Sequence, residues 1–261
     1  MHNDLLLNPS KSETMTTGTR AQLGNGGIDG GVDVAGAAVS PASHVRIMGV
    51  TLDSRLSFDK HISDIVRIAF YHLRGLQHVR KFLDKKTAHT IACSLVGSRL
   101  DYCNSVLAGV SDHNIKRLQR VQNTAARTVA NIGRRSSASR TMFDLHWLPV
   151  SKRIDFKVAL TTFKVLTTNE PKYLRSLLKL SVPVRSLRSS DKHTLVVPLC
   201  KSALSSRAFS CYAPKLWNSL PQPIRDCITH VPGSDNYCKL SVFKSRLKTF
   251  LFNTAYDTVT I

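Results

Sequence analysis

Between Ala42 and Leu148 the chain has no proline, a run of 107 residues. Proline is the strongest helix breaker, so a stretch this long without it invites long helices. Apolar residues recur there at helical spacing. Ile62, Ile65, Val66, Ala69, Leu73, Leu76 and Val79 predict a helix over about 59–82, with Ser57 or Asp59 as its cap. A second helical stretch begins near Asp84 with Ala88, Ile91, Ala92, Leu95 and Val96 on one side. The third is the clearest. Ser111 or Asp112 caps it, Ile115, Leu118, Val121, Gln122, Ala125, Val129 and Ile132 form the stripe, and Gly133 supplies the stop.

Eight of the ten prolines fall from Pro149 onward, and both tryptophans, Trp147 and Trp217, lie in that half. A boundary is therefore expected near 133–150, where Gly133-Arg-Arg-Ser-Ser-Ala-Ser-Arg140 reads as a basic linker. Beyond it Ser151 is expected to cap a helix through Ile154, Val158, Phe163 and Leu166, and Asn169-Glu-Pro171 to open another. His193-Thr-Leu-Val-Val197 could be a short strand, and Ser241 starts a last helix burying Phe243, Leu247, Phe250 and Leu251. Ahead of the proline-free run, seven of thirteen glycines lie between Gly18 and Gly36, so that segment reads as a flexible connector. It fails the dinucleotide fingerprint, because Asp29 stands where the third glycine belongs. Val45-Arg-Ile-Met-Gly-Val-Thr-Leu-Asp53 alternates and reads as a strand or hairpin.

Charge narrows the function. Lys and Arg number 37 against 17 Asp and Glu, a formal net charge of +20 over 261 residues. Residues 1–44 are slightly acidic, so the basic excess sits in the rest. The default partner of such a chain is a polyanion. No apolar run approaches the roughly 20 residues of a membrane span, and the N-terminus lacks the basic and apolar regions of a secretory signal. The six cysteines form no Cys-x-x-Cys pair, and their wide spacing fits reduced thiols in a nuclear or cytoplasmic setting. Nucleic acid is the expected partner, with no membrane and no small-molecule substrate.

Within the third helix Lys116, Arg117, Arg120 and Arg127 stand with no acidic residue between His113 and Phe143. Lys116, Arg120 and Arg127 share one side. Arg153, Lys157 and Lys164 repeat that spacing after the linker, which itself adds Arg134 and Arg135. Phosphate neutralisation by such faces gives affinity without base specificity; the alternative is a merely solvated basic face. Catalytic constellations are poor. Glu13 and Glu170 are the only glutamates, no Asp-Asp pair occurs, and the carboxylate cluster of a two-metal site is not visible. No metal site and no cofactor are expected. Cys93 and Cys103 lie on apolar stretches and read as buried thiols, and His146-Trp-Leu-Pro149 as packing between the halves.

A set of segments, in order, carries a resemblance. They are Leu5-Leu-Leu-Asn-Pro-Ser-Lys-Ser-Glu13, Val45-Arg-Ile-Met-Gly-Val-Thr-Leu-Asp-Ser-Arg-Leu-Ser-Phe58, Ser98-Arg-Leu-Asp-Tyr-Cys-Asn-Ser105 and Leu118-Gln-Arg-Val-Gln-Asn-Thr-Ala-Ala-Arg127. Then come His146-Trp-Leu-Pro-Val150, Ser186-Leu-Arg-Ser-Ser190, Ser206-Arg-Ala-Phe209, Trp217-Asn-Ser-Leu-Pro221 and Phe243-Lys-Ser-Arg-Leu-Lys248. Together they resemble the C-terminal part of the reverse-transcriptase polyprotein of non-LTR (LINE-type) retrotransposons, an RNA-directed DNA polymerase.

The resemblance implies a layout. Residues 1–15 would be a remnant of palm motif D, with Lys11 as the lysine that assists the pyrophosphate leaving group. Residues 16–43 would be the connector and 44–56 a primer-grip-like β-hairpin with Met48 and Gly49 at its tip; the family usually has Leu where Met48 stands. Residues 57–132 would be a helical thumb holding a template–primer duplex, 133–145 the basic linker and 146–261 the element's C-terminal region. The expected fold is mainly α, with a small β-hairpin near the N-terminus, a thumb-like bundle and a mixed, mostly helical C-terminal region. The palm aspartates that hold Mg²⁺ lie upstream of motif D in the family. The chain is therefore expected to be a catalytically incomplete fragment that keeps nucleic-acid affinity, or a host-used basic helical module derived from one. An autonomous enzyme is the third possibility.

Overall fold

The computed structural model describes residues 7–24, 31–181, 193–228 and 236–257, without the side chains of 20 and 236–238. Leu5 and Leu6 of the first resembling segment, all of Ser186–Ser190 and residues 25–30 of the glycine-rich stretch lie outside the described residues. The fold is mainly α with small β-hairpins near the N-terminus. In chain order the elements are α1 (Arg20–Gly24), β1 (Val32–Val34), β2 (Ala37–Val39), β3 (His44–Ile47), β4 (Val50–Asp53), α2 (Asp59–Val79), α3 (Lys85–Ala92) and α4 (Ser98–Asp101). They continue with α5 (Asp112–Ala130), α6 (Ala138–Asp144), α7 (Val150–Thr168), α8 (Lys172–Arg175), α9 (Phe209–Ser219), α10 (Gln222–Arg225) and α11 (Asn236–Tyr256).

The segment expected to be a structureless connector holds a β-hairpin instead. Val32 pairs with Val39 and Val34 with Ala37 across a two-residue turn, Ala35-Gly36, both at positive φ. The Asp33 carboxylate accepts the Gly36 N–H at 2.9 Å and closes that turn. Glycine content suggested flexibility, but β-branched residues flanking an Ala-Gly pair are hairpin chemistry. The expected hairpin over 44–53 forms, with His44 opposite Asp53 and Ile47 opposite Val50.

Helix α2 starts where Phe58 adopts a left-handed φ of 62°. One carboxylate organises the approach. Asp53 accepts N–H bonds from Arg55, Ser57 and Phe58 at 3.1, 2.9 and 2.7 Å. Of the two expected caps, the Ser57 hydroxyl takes the Asp59 N–H, whereas the Asp59 carboxylate accepts from Asn114 of α5 at 2.7 Å. That bond holds the Asp59 carboxyl below its ordinary range. Ile62, Ile65, Ala69, Leu73 and Leu76 of α2 bury against Leu118, Val121, Ala125, Ala126 and Val129 of α5. Alanines on both faces let the two backbones approach.

Helix α5 is capped by Ser111, whose hydroxyl accepts the Asn114 N–H. It stops at Asn131, φ 55°, not at Gly133. Asparagine tolerates the left-handed region because its short polar side chain bonds locally, so it serves where glycine was expected. The Arg80 guanidinium, just past α2, donates to the Thr128 and Val129 carbonyls at 3.0 and 2.8 Å. A cation on these last carbonyls also opposes the helix dipole.

The expected linker is largely folded. Ala138, Thr141 and Met142 of α6 are buried, and α6 packs on α5. Both halves share one core. The buried Gln122 amide donates to the Leu148 carbonyl at 2.8 Å, and the Tyr256 hydroxyl donates to the Trp147 carbonyl at 2.6 Å. Helix α7 begins at Val150 behind Pro149, so Ser151 lies inside it and caps nothing. Only Leu195 of the expected 193–197 strand pairs, in a single bridge to Leu180. The Asn218 amide fixes it by bonding both the N–H and the C=O of Leu195 at 2.8 Å. Helix α8 spans only Lys172–Arg175, and α11 starts before Ser241. Cys200 and Cys211 are joined as a disulfide, against the expectation of reduced thiols; Cys93, Cys103 and Cys227 are free.

Asp155 of α7 and Tyr212 of α9 form a half-buried pair, the phenol donating to the carboxylate at 2.7 Å. Burial pushes the Asp155 carboxyl above its ordinary range, against the opposing Tyr212 bond. Burial also raises the Tyr212 hydroxyl. A carboxyl raised by folding favours the native state when protonated. That contribution is full below the unfolded value, about 3.9, and fades as pH rises through the higher folded value. Asp155→Asn should therefore be at least as stable as the parent at pH 7, and its melting temperature should vary less between pH 4 and 7. Tyr212→Phe should cost about 1–3 kcal/mol, because it strands a buried carboxylate. The reverse ranking of the two variants would overturn this account.

Candidate nucleic-acid interface

A concentration of positive charge lies where α2 and α5 pack. A groove of about 800 Å³ runs between them, lined by Arg67, Arg74, Arg80, Arg120, Arg127 and Arg134, with Phe70 also in its wall. Gln77, Thr124 and Thr128 add neutral polar groups, and no carboxylate among the described residues lines it. The pattern has a simple origin. Arg67 and Arg74 stand seven residues apart on α2, as do Arg120 and Arg127 on α5, two turns and hence one face. Each pair spans about 10.5 Å along its helix, about three steps of 3.4 Å along one nucleic-acid strand. Arg67 reaches the Asp64 carboxylate at 3.3 Å, but its side chain is 76% exposed, so that pair holds it weakly. Arg80 is bound to helix carbonyls, and Arg127 donates to the Ser136 carbonyl at 2.9 Å. Arg74, Arg120 and Arg134 are exposed and make no side-chain hydrogen bond or ion pair among the described residues.

The sequence-expected residues divide. Arg120, Arg127 and Arg134 line the groove; Lys116 and Arg135 are exposed outside it. Arg117 turns inward, donating to Asn114 and, at 2.7 Å, to the Ser63 hydroxyl, so it ties α5 to α2. Arg153 is also committed, pairing with Asp101 at 2.7 Å and donating to the Leu148 carbonyl at 3.0 Å. Lys157 lines a different cleft, and Lys164 is exposed on α7 outside both. The two matching basic faces are thus not one surface: equal spacing fixes a face on each helix but not how two helices are rotated. Arg67, Arg74 and Arg80 were not singled out in the sequence, although the seven-residue interval was legible.

At the hairpin tip Met48 and Gly49 form a two-residue turn with φ of 46° and 81°, the geometry that matches strand twist. The Tyr102 hydroxyl donates to the Met48 carbonyl at 2.7 Å. A Cβ on Gly49 would lie 3.4 Å from the Tyr102 ring, an ordinary contact, so it is the positive φ that favours glycine here. Beside the tip Arg46, Arg67 and Arg99 border a pocket of about 180 Å³, and Arg67 also lines the main groove. His61 sits at this pocket, where burial lowers its pKa and keeps the ring neutral near pH 7. Lys11 is exposed in the turn Pro9–Lys11, whose first residues are held by the Asn8 side chain, and this turn packs beside β2.

Nucleophilic chemistry finds little support. Cys93 lies 3.7 Å from the His89 ring, but burial pushes its thiol up, away from the reactive thiolate. Among the described residues no group of three or more His, Cys, Asp or Glu could hold a metal ion, and no helix is long and apolar enough to cross a membrane. Comparison with protein-family models, curated proteins and solved structures returned no match.

Proposed function

We propose that this chain binds nucleic acid through the phosphate backbone, with the α2–α5 groove as its principal contact surface. The observation that carries this is the row of arginines facing an acid-free groove. Crowding like charges there is unfavourable unless a polyanion relieves it, and guanidinium is well suited to phosphate. The resembling segments suit a duplex-holding thumb, with the Met48-Gly49 tip as a primer-grip-like element and Lys11 as a motif D remnant. In this reading the protein is a nuclear or cytoplasmic fragment of a retrotransposon reverse transcriptase. The residues present do not fit a Mg²⁺ pair, because the described carboxylates are not clustered, so no polymerase step is assigned to this chain.

The salt dependence of binding to random-sequence duplex tests the proposal. The log–log slope should reach roughly −3 to −4, about 0.9 for each phosphate engaged by four arginines. Sequence scrambling should leave the affinity unchanged, and a primed template with Mg²⁺ should not be extended. A slope near zero would remove the groove assignment. Template-dependent incorporation by the pure chain would remove the fragment reading.

A further inference from the structure

A second cleft, of about 530 Å³, opens between the 145–148 turn, α7 and α11, and shares no lining residue with the arginine groove. We propose that it binds a single unstacked nucleotide, the base against its aromatic walls and the phosphate at Lys157 and Lys248. Taking the ligand to be a nucleotide rests on the nucleic-acid reading above; the cleft itself does not.

The volume lies within the range of about 300–1,000 Å³ usual for small-molecule sites. Four ring side chains line it: His89, His146, Trp147 and Phe156. Three of them are held by partners. His146 stacks on Phe252 with centroids 5.7 Å apart and planes 17° from parallel, and the Trp147 indole N–H donates to His89 Nε2 at 3.0 Å. That bond makes His89 Nε2 an acceptor. Flat, pre-positioned rings suit a nucleobase, because every base has a π-face and stacking needs no sequence match. The charge is one-sided. Among the described residues Asp101 is the single carboxylate lining the cleft, and Arg153 occupies it at 2.7 Å. Lys157 and Lys248 line the same cleft, are exposed, and make no ion pair among the described residues. Two unpaired amines beside an aromatic wall match a phosphate joined to a base. The 146–149 turn packs between the halves as expected, with Trp147 and Leu148 buried, and His146 is exposed at the mouth of the cleft.

Titration with adenosine 5′-monophosphate tests the proposal. Trp147 reports binding by fluorescence, while Trp217, fully buried and outside the cleft, gives a constant background. Equilibrium dialysis with labelled nucleotide provides the same comparison without relying on the indole. Saturable binding at about a millimolar or tighter is expected, with adenosine and inorganic phosphate each about tenfold weaker. The double variant Lys157→Gln/Lys248→Gln should weaken the nucleotide about tenfold and leave adenosine unchanged. Arg74→Gln/Arg120→Gln should weaken duplex binding and leave the nucleotide unchanged. Nucleotide binding without duplex binding would sink the groove and leave the cleft; the converse would do the opposite. No saturable binding, an unaltered affinity in the lysine variant, or equal affinity for an aromatic carboxylate would each overturn the nucleotide site.

Discussion

Phe243→Ala should cost about 3–5 kcal/mol of unfolding free energy. Phe243 is completely buried on α11. Its ring stacks on Phe163 of α7 with centroids 4.1 Å apart and planes 13° from parallel, and on Trp217 of α9 at 5.9 Å. One side chain therefore joins three helices far apart in sequence. Truncation forfeits the transfer energy of the ring and leaves a cavity that two rigid aromatic neighbours cannot collapse to fill. It also removes aromatic pairing worth about 0.5–1.5 kcal/mol beyond burial. Domains of this kind hold only about 5–15 kcal/mol in all, so the variant should unfold at much lower denaturant. Val242→Ala, next in sequence but 39% exposed, should change stability by less than about 0.5 kcal/mol. Chemical denaturation of the two variants checks this, and similar costs for both would show that α11 does not seat Phe243 as described.

The parts of the fold legible in the sequence are those set by local periodicity. Helices α2 and α5 follow from stripes of apolar residues at three- and four-residue intervals, and the β3–β4 hairpin from strict alternation around Met48-Gly49. What stayed hidden was decided by tertiary partners or by competing local signals. The β1–β2 hairpin lay under a glycine count that pointed to flexibility. Helix α6 lay under the basic, small-residue composition of residues 133–140, although Ala138, Thr141 and Met142 make a buried face. Leu195 is held by the Asn218 side chain, a bond no local pattern announces. The site divides in the same way. That residues 113–143 are basic and acid-free is plain from the sequence. Which guanidinium turns inward is not: Arg117 and Arg120 sit one turn apart, and only the position of Ser63 on α2 captures the first.

Arg74→Gln/Arg120→Gln/Arg134→Gln should lower the magnitude of the log–log salt slope for duplex binding by about 2.7, about 0.9 for each phosphate no longer neutralised. Affinity near 0.1 M salt should fall by about a thousandfold or more, since each of the three charge-assisted bonds is worth about 1.5–3 kcal/mol. These three residues are chosen because they line the groove, are exposed and hold no internal hydrogen bond among the described residues. Glutamine preserves helix propensity on α2 and α5, so helicity should not change. Arg80 and Arg127 are left intact because their bonds to the Thr128, Val129 and Ser136 carbonyls support the end of α5. Lys116→Gln/Lys164→Gln is the comparison, removing two exposed charges, one each from α5 and α7, outside both the groove and the nucleotide cleft. If the groove carries binding, this double variant should keep most of the duplex slope. A reduction per charge equal to that of the arginine variant would mean that the whole basic surface attracts the duplex and the groove has no special part. Arg117→Gln separates structure from binding: it breaks the 2.7 Å bond to Ser63, so it should lower the melting temperature while leaving the slope within about 0.5 of the parent.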